Sequence, residues 1–362
     1  MIVVRVLAVT AGVLLLVVTL LSSVKTVILP RSVPSLISRA VFLFMRRVFQ
    51  VIAHRKMSYA RRDRILAWYA PMSLIGTLVA WLALVMAAYT LIFWGTDRLT
   101  WVESFEMSGS ALFTLGTTRP TNLASNALVF TEAAIGLFLL ALLITFLPSI
   151  YTAFSRRELG VTALAVRAGE PPSGVEMMQR YWVLERMEEL NAVWTEWERW
   201  FVDVEETHTS LSSLAFFRSP QADHSWVTAA GAVLDGAALS LSTVDIERDV
   251  QAEFCLRAGY LCLRRIAGFF RVPYDAEPEP DDPISITREE WEEAVAVLEL
   301  AGVPIKADRD RAWRDFAGWR VNYDTVLLAL ANLTNAPAAL WSSDRSGIGT
   351  LRVRMLRPTV PR

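Results

Sequence analysis

The run Thr114, Leu115, Gly116, Thr117, Thr118, Arg119 gathers threonine hydroxyls and backbone carbonyls around a single glycine. Such hard oxygen donors can replace part of a cation's hydration shell. The segment before it, Trp101 to Phe113, suits a short helix with small residues at Ser108, Gly109, Ser110 and Ala111, and it is too short to span a bilayer. Glu103 and Glu106 fall in its first turns, where the positive end of a helix dipole favours acids. The negative end would then face the Thr/Gly run and favour a cation. Non-helical backbone at membrane depth is tolerated only where it is buried in protein or lines a water-filled cavity. Two further residues stand out in the next apolar stretch: Glu132, because intramembrane acids are functional suspects by default, and Gly136, which offers either backbone freedom or close helix packing.

Other chemistries find no support. No GxGxxG, Walker loop or Cys/His cluster occurs, and Cys255 and Cys262 stand seven apart on one helical face without two further ligands, so they read as buried thiols rather than zinc ligands. His208 and His224 stand with no acid and nucleophile at a motif spacing. The acidic run Asp275 to Asp282 is interrupted by prolines and lacks EF-hand spacing, which makes it a solvated linker. No catalytic constellation, cofactor site or resident metal is expected.

The elements that must hold the Thr/Gly run are apolar. Mean hydropathy is +0.35, high for a soluble protein, and three segments are long enough to cross a bilayer. They are residues 2–24, about Ile65 to Trp94, and about Ala127 to Tyr151. The first lacks a basic n-region and a small-x-small site set off from its core, so it reads as a retained helix rather than a signal peptide. Net charge is only -1, yet residues 1–65 hold 11 Lys/Arg against one acid, while residues 154–362 hold 23 against 32. Ten of those bases lie between the first two spans, among them Arg55, Lys56, Arg61, Arg62 and Arg64, and Arg156 and Arg157 follow the third. By the positive-inside rule the amino terminus is outside, residues 25–64 and everything after about Phe154 are cytoplasmic, and residues 95–125 face outward. Residues 35–53, apolar but broken by Arg39, Arg46 and Arg47, read as a helix lying along the inner leaflet, packed on the neighbouring spans, or both. The basic segment 39–64 would meet anionic lipids.

The remainder, 154–362, reads as a helical cytoplasmic domain. Helices are expected over 177–208, 225–244 and 251–270, then from a capping box at Thr287 and Glu290 to a stop near Gly302, and finally over about Trp313 to Asn335, with one short strand at 351–355. This bundle-like pattern could bind a cytoplasmic partner; nothing in it points to nucleic acid.

The order of span, short helix, TxGxx run and span resembles the pore-loop potassium channels in their compact form with two helices per pore. The family's filter is TVGYG followed by aspartate, and Thr114 to Arg119 is the matching stretch. The run TEAAIGLFLLALL, with Glu132 and Gly136, is similar to the inner helix of small bacterial members, where a glycine in this region can act as a gating hinge. The likeness covers 66–153, about a quarter of the chain. It implies an all-α membrane protein with a pore domain at 65–153, preceded by a span at 1–24 and a basic loop at 25–64. It also implies a homotetramer in a bacterial plasma membrane, with K⁺ or another monovalent cation as permeant ion. Two positions depart from the pattern. Thr118 replaces the second filter glycine, whose freedom at positive φ it lacks, and Arg119 replaces the aspartate. Four copies of Arg119 around one axis would repel cations unless turned away or paired with Glu103 or Glu106, so weakened K⁺ selectivity is expected. An anion-tolerant pore, or a non-conducting anchor with a partner-binding helical domain, remains an alternative.

Overall fold

The structure is a computed structural model that describes residues 2–29, 35–54, 57–97, 99–118, 120 and 122–344. Among them the chain is helical: thirteen α-helices and short 3₁₀ turns, with a single antiparallel bridge between Val244 and Ile305 as the only β feature. Three helical stretches, Ile2–Val27, Tyr59–Thr96 and Leu123–Ala168, are long and apolar enough to cross a membrane. This is the make-up of an all-α membrane protein. Arg55, Lys56, Arg98, Arg119 and the expected strand at 351–355 lie outside the described residues. The chain divides into two units, Met1–Ala153 with Ser210–Phe217, and Phe154–Thr209 with Arg218–Arg362.

In the first unit α1 (Ile2–Val27) is followed by α2 (Leu36–Ile52), α3 (Tyr59–Leu66), α4 (Tyr69–Thr96), α5 (Trp101–Leu112) and α6 (Leu123–Ala168), which continues beyond the unit. Glycines let α1 and α4 approach closely: a Cβ on Gly12 would lie 2.6 Å from the Ala88 carbonyl oxygen, and one on Gly95 would lie 2.7 Å from that of Arg5. Arg5, the one charge in the first span, donates from Nη1 to the Asp97 carbonyl at 2.9 Å and lies over the Trp94 ring. Hydroxyls along the spans are satisfied in place. Thr10, Thr19, Ser73, Thr77, Thr90 and Thr96 each donate to the carbonyl four residues earlier. Within the second stretch, α3 and α4 are separated by a break at Ala67–Trp68, and α4 begins at Tyr69. Tyr69, at its start, forms edge contacts with Phe42 and Phe49 of α2 and with Phe216. A 3₁₀ turn, Ser212–Phe216, thus belongs to the first unit although it follows far later in sequence.

The second unit is a bundle around α9 (Trp226–Ser242), which is buried over nearly its whole length. The expected single helix over 177–208 is instead α7 (Gly174–Val183), a 3₁₀ turn at Met187–Glu189 and α8 (Leu190–Ser210). Glu185 causes the break: it takes φ +56, and its N–H and that of Arg186 return to the carbonyls of Trp182 and Tyr181. That is a Schellman stop with glutamate where glycine is usual, which hides it from a reading of the sequence. α10 (Val250–Phe269) and α11 (Arg288–Leu300) follow, the latter with the Thr287/Glu290 capping box in place and Gly302 at φ +86 just past its end. The expected helix from Trp313 to Asn335 is also two: α12 (Arg309–Arg320) and α13 (Asp324–Thr334). The turn between them seats the Tyr323 hydroxyl on Asp235 at 2.8 Å. Cys255 and Cys262 are buried free thiols, and burial pushes both pKa values up.

His208 is fully buried in this unit. Its Nδ1 lies 2.9 Å from the Val204 carbonyl, which can only accept, so Nδ1 carries the proton; its Nε2 lies 3.3 Å from Arg157 Nη1, which can only donate, so Nε2 is bare. The ring is therefore held neutral, and burial together with the Arg157 charge pushes its pKa well below 6.5. The unfolded chain takes up a proton near pH 6.5 that the folded site refuses. Stability should fall as pH drops below that value, by up to about 1.4 kcal/mol per pH unit. Thermal melts of the wild type and His208→Gln between about pH 7.5 and 5.5 check this: the wild type should lose stability more steeply on acidification, and parallel curves would remove the role.

Candidate functional site

The short helix α5 stands between α4 and α6 as a separate element. Its start is fixed locally by a capping box: Thr100 Oγ1 accepts from the Glu103 N–H at 3.3 Å, and Glu103 Oε2 accepts from the Thr100 N–H at 2.7 Å. Glu103 is thus engaged at the helix start, and Glu106 is exposed one turn on. Ser104, Met107, Ser108, Ser110, Ala111 and Leu112 are buried, so the small residues let α5 sit closely among its neighbours.

The helix ends in a second Schellman stop. The Thr114 N–H donates to the Ala111 carbonyl at 3.1 Å and the Leu115 N–H to the Ser110 carbonyl at 2.8 Å, with Thr114 at φ +55. A β-branched residue in the left-handed region is a strained choice, costing on the order of 1–3 kcal/mol. Gly116 follows at φ +68, where a glycine is at ease. The Thr117 and Thr118 N–H groups then both donate to Ser110 Oγ, at 3.0 and 3.3 Å.

These bonds set the direction of the carbonyls. In a trans peptide the N–H and the preceding C=O point opposite ways. With the amides of Leu115, Thr117 and Thr118 all directed at Ser110, the carbonyls of Thr114, Gly116 and Thr117 are turned away from α5. The loop bearing them is exposed in the single chain: Leu115 is uncovered, and nothing lies within 4 Å of where a Cβ on Gly116 would be. Thr118 is not among the residues at positive φ, whereas Thr114 is. Arg119, expected at the outer mouth, lies outside the described residues.

Behind α5, Glu132 is fully buried. Ser108 Oγ lies 2.5 Å from its Oε1 and 3.0 Å from the Met86 carbonyl oxygen, so a single hydroxyl bridges α4, α5 and α6. Glu132 thereby holds the short helix from behind rather than facing the exposed loop. One turn along α6, a Cβ on Gly136 would lie 2.6 Å from the Leu112 carbonyl oxygen. That is a backbone atom, which cannot swing aside. From helix propensity alone, Gly136→Ala would stabilise α6 by about 1 kcal/mol or less; the overpacking of a Cβ against the Leu112 carbonyl opposes this with about 1–3 kcal/mol. The variant's melting temperature should therefore drop, and a rise would show that α5 shifts freely.

Of the site residues expected from sequence, the structure brings Thr114 to Thr118 together as one loop on α5 and sets Glu132 and Gly136 against that helix. Glu103 and Glu106 stand at its far end. Ser108 and Ser110 are the residues that sequence reasoning missed as participants. Their signal was the Ser-Gly-Ser run itself, which reads as smallness until the helix end shows that the hydroxyls are acceptors and bridges. No protein-family model, no curated protein and no solved structure matches the chain.

Proposed function

We propose that the chain is one subunit of a homotetrameric pore-loop channel for monovalent cations. The observation that carries the reading is the set of carbonyls on Thr114, Gly116 and Thr117 turned away from the short helix that supports them. Outward-turned carbonyls need a partner, and at membrane depth neither lipid nor an apolar side chain can serve. A cation on an axis shared with other copies can, and one loop cannot surround an ion. The C-terminal end of α5, directly before the loop, adds a partial negative charge. In this reading α4 and α6 are the outer and inner helices, residues 95–125 face outward and the second unit lies in the cytoplasm of a plasma membrane. K⁺ is the expected permeant ion. Its discrimination from Na⁺ is weaker than in a TVGYG filter, because Thr118 in place of glycine does not enter the left-handed region that would turn a further carbonyl inward.

The test is reconstitution of the full chain into liposomes under a KCl gradient, followed by K⁺/Na⁺ exchange, with crosslinking to count subunits. Four subunits and a reversal potential near that of K⁺ are expected. Reversal at the chloride potential would make the pore an anion path, and absence of flux from a well-folded tetramer would make the chain a non-conducting anchor.

A further inference from the structure

The helix between the first two spans exposes a face that no part of the first unit covers. At 100° per residue, Ser38, Val41, Phe42, Met45 and Phe49 of α2 share one side, and this side packs on the neighbouring helices: Met45 Cε and Val41 crowd Gly76, and Phe42 and Phe49 meet Tyr69. On the other side Leu36, Ala40, Leu43, Phe44 and Val51 form an exposed stripe, with Leu36 81%, Phe44 62% and Val51 77% accessible. Arg47 stands within the stripe and Arg46 at its edge. Among the described residues neither pairs with a carboxylate, nor do Arg61, Arg62 and Arg64 on α3. An apolar stripe mixed with unpaired cations fits neither water nor the interior of a bilayer.

We infer that α2 and α3 form a binding surface for an anionic phospholipid leaflet, with the stripe from Leu36 to Val51 set into the acyl boundary and the arginines on the headgroup phosphates. Three observations converge on that occupant. The helix is tethered at both ends to elements long and apolar enough to span, α1 ending at Val27 and α4 beginning at Tyr69, so it is kept near the membrane surface. Its sequence-flanking region carries ten bases against Asp63 alone, which complements a negative leaflet. An arginine amid apolar side chains is stable where its stem lies in hydrocarbon and its head reaches the interface. The inference needs the membrane location and not the ion pathway. A chain without flux could still carry this surface.

The experiment places a spin label on Phe44→Cys in the full chain, with Cys255 and Cys262 too buried to compete. Liposomes of phosphatidylcholine alone and with phosphatidylglycerol are compared, using collision with oxygen, which dissolves in lipid, against a water-soluble nickel chelate. In the anionic liposomes the label should favour oxygen over the chelate by about tenfold relative to a label at Glu277 in the second unit. Replacing Arg46, Arg47, Arg61, Arg62 and Arg64 by glutamine should remove the dependence on phosphatidylglycerol. Free access of the chelate at position 44 in both lipids would overturn the inference in favour of water. Exclusion of both probes regardless of lipid would overturn it in favour of another protein surface, such as a second copy. As a second readout, wild type extracted in mild detergent should retain phosphatidylglycerol in preference to phosphatidylcholine, and equal retention would count against the surface.

Discussion

Ser110→Ala is expected to abolish most cation flux while leaving the chain in the membrane. Ser110 is the point to which the exposed loop is tied. Its carbonyl holds the Leu115 N–H, and its hydroxyl holds those of Thr117 and Thr118. Alanine keeps the helix and the carbonyl but withdraws the acceptor from two amides of an exposed loop, each bond being worth about 0.5–1.5 kcal/mol. Since about 1.4 kcal/mol is a factor of ten in a population, the fraction of loops with the Gly116 and Thr117 carbonyls turned outward should fall about tenfold. In the proposed tetramer four loops must agree in one pore, so the effect on flux would exceed the effect on one chain. Ser110→Thr restores the acceptor and should recover conduction in part. The measurement is K⁺ flux per tetramer in liposomes alongside the melting temperature. Unchanged flux in Ser110→Ala would show that the loop direction does not govern passage.

The largest effect on stability is expected at Arg320, in the second unit. Its guanidinium is fully buried and meets Asp235 through Nη1 at 2.5 Å, Asp324 through Nε at 2.8 Å and the Trp341 carbonyl through Nη2 at 2.5 Å. Tyr323 donates to Asp235, and Ser285 donates to Asp324 from both its N–H and its hydroxyl. Burial alone would lower the arginine's pKa. The two carboxylates outweigh it and hold the group above its ordinary value, firmly charged. Arg320→Ala leaves two buried carboxylates with their cation removed, a change that costs about 3–5 kcal/mol. For a unit of this size the melting temperature should fall by roughly 10 °C. Arg320→Lys keeps the charge and loses the fork, so it should lie between the two. A melt of Arg320→Ala within a degree or two of the wild type would mean that the network is not holding the bundle.

What the sequence by itself determined were the features written in local chemistry. Apolar runs of sufficient length admit few alternatives to a helix in or beside a membrane, because backbone groups must be satisfied within the segment; α1, α4 and α6 follow from that. The Thr287/Glu290 capping box and the stop at Gly302 were legible, since each depends on residues within one turn. The same pattern stood at Thr100 and Glu103, where Glu103 reads from sequence as an acid for the helix dipole and proves also to be the capping-box partner of Thr100. Tertiary structure alone decided the rest. Glu185 and Thr114 end helices in a conformation that glycine normally signals, and neighbours across the fold must make up for the strain. Phe216 joins the first unit through Tyr69, a partner separated by more than a hundred residues. Gly136 faces the Leu112 carbonyl, Ser108 meets Glu132, and Ser110 governs the loop, because α5 has been brought against α4 and α6. Periodicity reports which face of an element is apolar; which atom will lie against it depends on contacts distant in sequence, and those determine how tightly each residue is held.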